Sequence, residues 1–280
     1  MYAICLLDIS PIRREASDKS EQVSQLRFGE IFEIKEVSEN KKWYKILTYF
    51  DNYEGWVDSL QIHEISQEYF ESYQKNTHKH KIVSNIQASC YLLDTKSNII
   101  NFMCLTKGAI LPFFWIQEDK KNHLKPRNKA FFEVDGKTFW YKGNVFDNTE
   151  INTKKLISRA LTYKNIPYLW GGKSFFGADC SGFVQEIFKS FSKFIPRDAY
   201  QQAEIGENIQ DLKDIKTGDV VFFQRDGRVV HVGIAWIQNK NLQIIHARGK
   251  IRVDKLDQTG IWDAEKTEYS HHLHSIRRIF

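Results

Sequence analysis

Tyr168-Leu169-Trp170-Gly171-Gly172, followed by Gly177-Ala178-Asp179-Cys180-Ser181-Gly182-Phe183-Val184, is the stretch from which the rest of the chain is read. Asp179 is a good helix N-cap, because a short carboxylate accepts from the backbone N–H groups that a first turn leaves unpaired. Behind it Phe183, Val184, Ile187 and Phe191 form an apolar stripe. A short amphipathic helix is therefore expected from Asp179 to about Phe191, with Cys180 in its first turn. The positive end of a helix favours an anion there. With a nearby imidazolium it can lower a thiol pKa from about 8.5 into the ~3.5–7.5 range, so a thiol poised at neutral pH is predicted. A free cysteine is more commonly a small buried hydrophobe. The flanking glycines and the small Ser181 argue for the reactive reading here.

Downstream, Val229 to Trp236 reads as an apolar strand interrupted by His231. Alternation puts His231 on one face with Gly233 and Ala235, opposite Val230, Val232, Ile234 and Trp236. The small neighbours predict a hollow beside the imidazole into which the Cys180 helix packs, as a Cys/His pair for acyl transfer requires. The next strand, Leu242 to Ala247, follows a turn at Gln238-Asn239-Lys240-Asn241. Pairing Ile237 with Leu242 puts Arg248 opposite His231, with His246 as the same-face diagonal neighbour. Tightening the turn by two residues puts His246 directly opposite, and a one-residue slip separates the pair. In both favourable registers His246 fixes the tautomer of His231, the orienting role that a carboxylate or amide has in other triads. Tyr168, twelve residues before Cys180, has a phenol that can donate toward an oxyanion beside the Cys180 N–H, or simply pack its loop on the core.

Working outward, Thr153 to Leu161 places Leu156, Ile157, Ala160 and Leu161 on one helical face, and this opens a domain spanning 148–280. Its order, helices first and strands second, is that of an α+β fold. Residues 1–64 instead show short alternating segments such as Ile31-Phe32-Glu33-Ile34-Lys35, separated by polar turns. The succession Gln25-Leu26-Arg27-Phe28-Gly29-Glu30, Trp43-Tyr44-Lys45-Ile46 and Tyr53-Glu54-Gly55-Trp56-Val57 resembles bacterial SH3 (SH3b) domains. Residues 65–80 are polar, with Tyr69, Phe70 and Tyr73 at helical spacing, and read as a helical linker. Residues 81–147 alternate again, with turns at Gly108, Asp135-Gly136 and Gly143, and look like a second, degenerate SH3b barrel.

The Gly- and Cys-containing stretch resembles the nucleophile motif of NlpC/P60 cysteine peptidases. Ile195-Pro196-Arg197-Asp198, Thr217-Gly218-Asp219-Val220-Val221-Phe222-Phe223, Val230-His231-Val232-Gly233-Ile234 and His246-Ala247 follow in the family's order. The resemblance implies a papain-like domain with a Cys180-His231-His246 triad and Tyr168 at the oxyanion. With SH3b domains in front, it looks like the γ-D-glutamyl-L-diamino-acid endopeptidases that act on murein peptides with a free N-terminal L-Ala. In that group a barrel tyrosine, an acidic barrel residue and the Asp before the nucleophile bind the amine. The matching positions are Tyr53, Glu21 with Glu15 as the nearby alternative, and Asp179, and the resemblance adds Ser181 and Trp170 to the expected substrate-binding residues. A buried ammonium needs paired carboxylates, so such a site rejects acylated amines.

Both signs of charge are interspersed and the net +5 is modest, which argues against a nucleic-acid partner. The basic run Lys75 to Lys81 is read as part of the linker. No apolar run reaches the roughly 20 residues of a membrane span. Met1 to Asp8 lacks a basic leader and a cleavage site, so a cytoplasmic monomer is expected, or a periplasmic one if a leader has been removed. Four scattered cysteines without CxxC spacing suggest neither a zinc knot nor a disulfide framework. Thiol chemistry needs no cofactor or metal, and His271-His272-Leu273-His274 lacks a further ligand at metal spacing. Two rivals remain open: a wall-binding protein with an inert catalytic domain, and an amidase or transacylase on another acyl substrate.

Overall fold

The computed structural model describes residues 1–118, 129–147 and 150–280. It divides into two compact units, Met1–Asn148 and Thr149–Phe280. The domain start expected at 148 falls on a residue outside the described ones.

The first unit opens with β1 (Tyr2–Ile4), β2 (Ile9–Arg13), β3 (Gln22–Arg27), β4 (Ile31–Val37), β5 (Trp43–Thr48), β6 (Glu54–Asp58) and β7 (His63–Ile65). They pair in the order β3-β2-β6-β5-β4-β1-β7. Next comes α1 (Gln67–Lys75), started by Ser66, whose side chain accepts from Tyr69 N–H. Its aromatic face is buried through Phe70 and Tyr73, and the Tyr73 hydroxyl donates to the Gly29 carbonyl at 2.6 Å. The remaining strands are β8 (Lys81–Ile82), β9 (Gln87–Leu93), β10 (Ile99–Thr106), β11 (Ile110–Leu111), β12 (Trp115–Gln117), β13 (Lys129–Val134) and β14 (Lys137–Lys142). They form a five-stranded sheet, β10-β9-β14-β13-β12, and a β11-β8 ribbon.

Among the described residues neither set of pairings closes on itself, so the two expected barrels stand here as two antiparallel sheets. They share a core, while the first sheet also keeps a cluster of its own through Ala3, Cys5, Ile12, Leu26, Phe32, Ile46 and Val57. Ile4, Phe28 and Ile31 meet Leu105, Phe132 and Phe139 in a single cluster that also takes Phe70 and Tyr73. Alternation reports one buried face per strand and is silent on whether two such faces share a core. Buried Arg27 strengthens the union, donating to Thr106 Oγ1 at 2.8 Å and to the Lys107 carbonyl at 2.9 Å.

The second unit begins with α2 (Thr153–Leu161), capped by Asn152, whose side chain accepts from Lys155 N–H at 2.9 Å. A short hairpin of β15 (Lys173–Ser174) and β16 (Gly177–Ala178) leads into α3 (Cys180–Lys189), and α4 (Ala199–Gln202) follows. Then come β17 (Glu207–Asn208), β18 (Val220–Arg225), β19 (Arg228–Gln238), β20 (Asn241–Arg248), β21 (Lys250–Leu256), β22 (Gly260–Asp263) and β23 (Glu268–Arg278). The helices precede the large sheet, whose order β17-β23-β18-β19-β20-β21-β22 gains a β22–β23 pairing that closes six strands on themselves. Both faces are buried. Val220, Phe222, Val232, Ile234, Ile245 and Ala247 pack with Phe183, Val184 and Ile187 of α3. Val221, Phe223, Ala235, Ile244, Leu256, Ile261 and Ile276 fill the other side. Among the described residues no helix is long and apolar enough to cross a membrane.

Candidate active site

The first turn of α3 is held by Asp179. Its Oδ1 accepts from Gly182 N–H at 2.7 Å, and its Oδ2 from Gly171 N–H at 2.9 Å. Arg197, itself buried, grips both oxygens at 3.1 and 2.6 Å, and donates to Ser181 Oγ at 2.8 Å. The Ser181 hydroxyl adds a longer bond to Oδ1 at 3.3 Å. A carboxylate offers about four acceptor sites, so Asp179 is fully engaged in the fold and its charge is balanced. Gly182 has to be glycine, since a Cβ there would lie 2.2 Å from the Gly172 carbonyl oxygen. The Gly171-Gly172 loop is thereby pressed onto the turn that carries the thiol.

Cys180 is 8% exposed and lies in the apolar cluster that takes Val232 and Ile234 of β19. The helix that carries the thiol thus packs against β19, the strand of His231. It meets the Val232 and Ile234 face, contrary to the expectation that it fills the hollow beside Gly233 and Ala235. That hollow has another occupant. A Cβ on Gly233 would sit 2.9 Å from the His246 Cβ and 2.7 Å from Ile244 Cγ1, so the missing side chain makes room for the strand that brings His246.

Strands β19 and β20 pair with Ile237 opposite Leu242 and Gly233 opposite His246, the first of the two favourable registers. The two-residue turn at Asn239 and Lys240, with φ of 50° and 65°, fixes that register. His246 is accordingly the diagonal neighbour of His231 on the shared face. The rings meet with His231 Nε2 at 2.8 Å from His246 Nδ1 and planes at 87°. Among the described residues Cys180 shares no hydrogen bond with His231, whose bonded partner is His246.

Burial governs the protonation of all three. It pushes the Cys180 thiol up to about 12, adjacent Asp179 adds to this, and the Val232 N–H, Arg197 and Ser181 N–H pull the other way. His231 lies well below the ordinary imidazole value because of burial, then of His246, His271 and Arg248. The expected low thiol pKa is therefore corrected. The donors at the helix start act in the anticipated direction, but desolvation and the neighbouring carboxylate outweigh them. The resting pair is a thiol and a neutral imidazole. Tyr168, tied by its N–H to the Gly249 carbonyl at 2.9 Å, is raised by burial and then by Cys180 and Asp179, so its phenol keeps the proton it would donate.

Two neighbours escape the sequence reading. Asp254 on β21 accepts from His246 Nε2 through Oδ2 at 2.9 Å and is held by Arg252, with Nε to Oδ2 at 2.8 Å and Nη2 to Oδ1 at 2.9 Å. Extending the register count one strand further, to His246 opposite Arg252, would have found both charges. His271 on β23 stacks on His231 with centroids 4.1 Å apart, across β18, which pairs with both of their strands. Trp170 is 60% exposed on the loop before the thiol, and Ser181 is buried behind it. In the first unit, Tyr53 lies in the β5–β6 turn, its N–H bonded to Thr48 Oγ1 at 2.8 Å. Glu21 pairs with Arg14 at 2.7 Å at the end of the β2–β3 hairpin, and Glu15 is exposed in the same hairpin.

Residues 165–270 match the model of the NlpC/P60 family, and residues 11–61 that of the bacterial SH3 domain. A protein of Bacillus subtilis (strain 168) named gamma-D-glutamyl-L-lysine dipeptidyl-peptidase is 38% identical over 128 residues, covering 45% of this chain and 40% of that protein. One of the same name from Bacillus cereus (strain ATCC 10987) is 27% identical over 215 residues, covering 72% of this chain and 61% of that one. The chain thus spans less than two thirds of the length of these curated relatives. The crystal structure of an NlpC/P60 family protein from Bacillus cereus ATCC 10987 superposes with a TM-score of 0.76 at 19% identity, covering 100% of this chain and 99% of the other, a likeness of fold.

Proposed function

Because the chain belongs to the NlpC/P60 family, we propose that it is a cysteine peptidase that hydrolyses the γ-D-glutamyl–diamino acid bond of murein peptides with a free N-terminal L-Ala. The observation that carries this reading is the 2.8 Å bond between His231 and His246, with His231 on the strand against which the Cys180 helix packs. With Nε2 of His231 engaged, its Nδ1 is the nitrogen left to take the thiol proton as sulfur attacks the γ-carbonyl of D-Glu. The oxyanion that forms is met by the Cys180 N–H and the Tyr168 phenol. Collapse expels the amine of the diamino acid, protonated by His231, and leaves a thioester that water hydrolyses with His231 again as base.

The bond chosen follows the names of the two relatives, one of which aligns with residues in both units of this chain. Selection for a free amine directs the enzyme to released peptides and away from stems still attached to glycan. The test is incubation with L-Ala-γ-D-Glu-diamino-acid peptide and with its N-acetylated form. Release of L-Ala-γ-D-Glu from the first alone, abolished by Cys180→Ala, is the expected result. No release favours a wall-binding protein or another acyl substrate, and equal cleavage of both peptides removes the amine selection.

A further inference from the structure

The acid-base groups at this site continue past the two histidines. His231 on β19, His246 on β20 and Asp254 on β21 lie on successive strands, each the diagonal neighbour of the one before. His246 is opposite Gly233, two residues beyond His231, and Asp254 is opposite Ile244, two residues from His246. The three side chains are linked by hydrogen bonds of 2.8 and 2.9 Å, and all are buried or nearly so. An ionised carboxylate can only accept. Asp254 is kept ionised although burial would raise it, because bonds from His246 and Arg252 hold it below the usual carboxylate range.

The consequence runs along the chain of bonds. His246 must carry its proton on Nε2 to donate to Asp254, and a neutral imidazole protonated there presents a lone pair at Nδ1. His231 must then donate from Nε2 to that lone pair, which leaves His231 Nδ1 bare. Reversing either tautomer places two donors or two acceptors face to face in a site closed to water. We propose that Asp254 is a positioning residue that sets the tautomers of both imidazoles, so that His231 presents an unprotonated Nδ1 to the thiol. Arg252 orients the carboxylate, binding both oxygens and leaving the second acceptor site of Oδ2 to His246. The inference rests on reading Cys180 as nucleophile and His231 as base, yet its first test needs no turnover.

In the full chain labelled with ¹⁵N-histidine, nitrogen shifts and couplings at neutral pH identify which ring nitrogen of His231 and His246 is protonated, assigned with single His→Gln variants. Protonated Nε2 in both is expected. A protonated Nδ1 in either overturns the proposal whether or not the peptide is cleaved. Asp254→Ala is then expected to lower kcat by about 100-fold or more with KM little changed, in line with loss of tautomer control elsewhere. In the same variant the Nε2 signature becomes a mixture. Asp254→Asn, whose amide oxygen can still accept at the Oδ2 position, recovers part of the rate. Should Asp254→Ala keep kcat within twofold, or lose rate with unmixed tautomers, the positioning role fails. If the unaltered chain shows these tautomers but leaves the peptide uncut, the peptidase reading falls and the tautomer assignment stands.

Discussion

His231 and His246 are bonded ring to ring, Nε2 to Nδ1 at 2.8 Å, although neither is the other's cross-strand partner. The partner of His246 is Gly233, and the diagonal reach depends on an empty position there. If this contact orients the base, His246→Ala should cut kcat by about 100-fold or more, while Cys180 still reacts with an alkylating agent at the unaltered rate. His246→Asn should fall between, because an amide oxygen can accept from Nε2. Equal turnover by all three proteins, measured on the free-amine peptide, would remove His246 from the machinery.

Gly233→Ala tests the same relationship from the other strand. The added methyl would stand 2.7 Å from Ile244 Cγ1 and 2.9 Å from both the Ile245 carbonyl oxygen and the His246 Cβ. Two of these neighbours cannot swing away, so β20 must shift. A loss of about 1–3 kcal/mol is expected from the shift in urea midpoint, as for other overpacked cores. Turnover should fall by more than stability explains at a temperature where the variant is fully folded. A variant with unchanged midpoint and rate would show that His246 does not need the space.

The resting state of the thiol is open to direct measurement. Burial raises Cys180 to about 12 and keeps His231 well below its ordinary value, so the pair is neutral at pH 7. The ultraviolet difference between the chain and its Cys180→Ala variant should therefore lack thiolate absorption near neutrality. Alkylation by iodoacetamide should rise steadily with pH across the neutral range. A plateau of reactivity already reached in mild acid would reveal a preformed thiolate-imidazolium pair and reverse the assignment.

Much of this site is legible in the sequence, for reasons that differ residue by residue. Asp179 signals a helix start through a side chain whose capping bond is local, and the Asn239-Lys240 turn sets a register that counting then carries to His246. Which face of β19 receives α3 is not legible. Val232 and Ile234 on one face and Ala235 on the other are all buried, so polarity does not separate helix from strand interior. The thiol's protonation is hidden too, because a helix terminus and a buried carboxylate pull in opposite directions and only the depth of burial decides between them. His271 reaches His231 because β23 pairs with β18 beside β19, a long-range pairing without a local signal. In the first unit alternation marks strands well, but the common core depends on Phe70 and Tyr73 of a segment that reads as a connector.

The buried histidines finally make a prediction about acid. In the folded second unit His231 and His246 are held below the ordinary value of 6.5, burial being the main cause in each, and His271 is brought down to about 4. Unfolding releases each ring to bind a proton once the pH falls below about 6.5, so the unfolded chain gains protons that the native one refuses. Stability is thus complete above that value and declines as the pH drops toward the folded-state pKa values. Each histidine steepens the decline by up to about 1.4 kcal/mol per pH unit while only its unfolded form is protonated. Asp254, held low in the fold, adds to the loss only in stronger acid, as the pH falls through its folded value. Urea midpoints measured from pH 7.5 down to 5 should fall continuously. The fall should be shallower in His271→Gln, which removes one of the refused protons while leaving the bond between His231 and His246 in place. A midpoint that rises on acidification would mean that these rings take up protons in the folded state, and the neutral pair at the centre of the site could not stand.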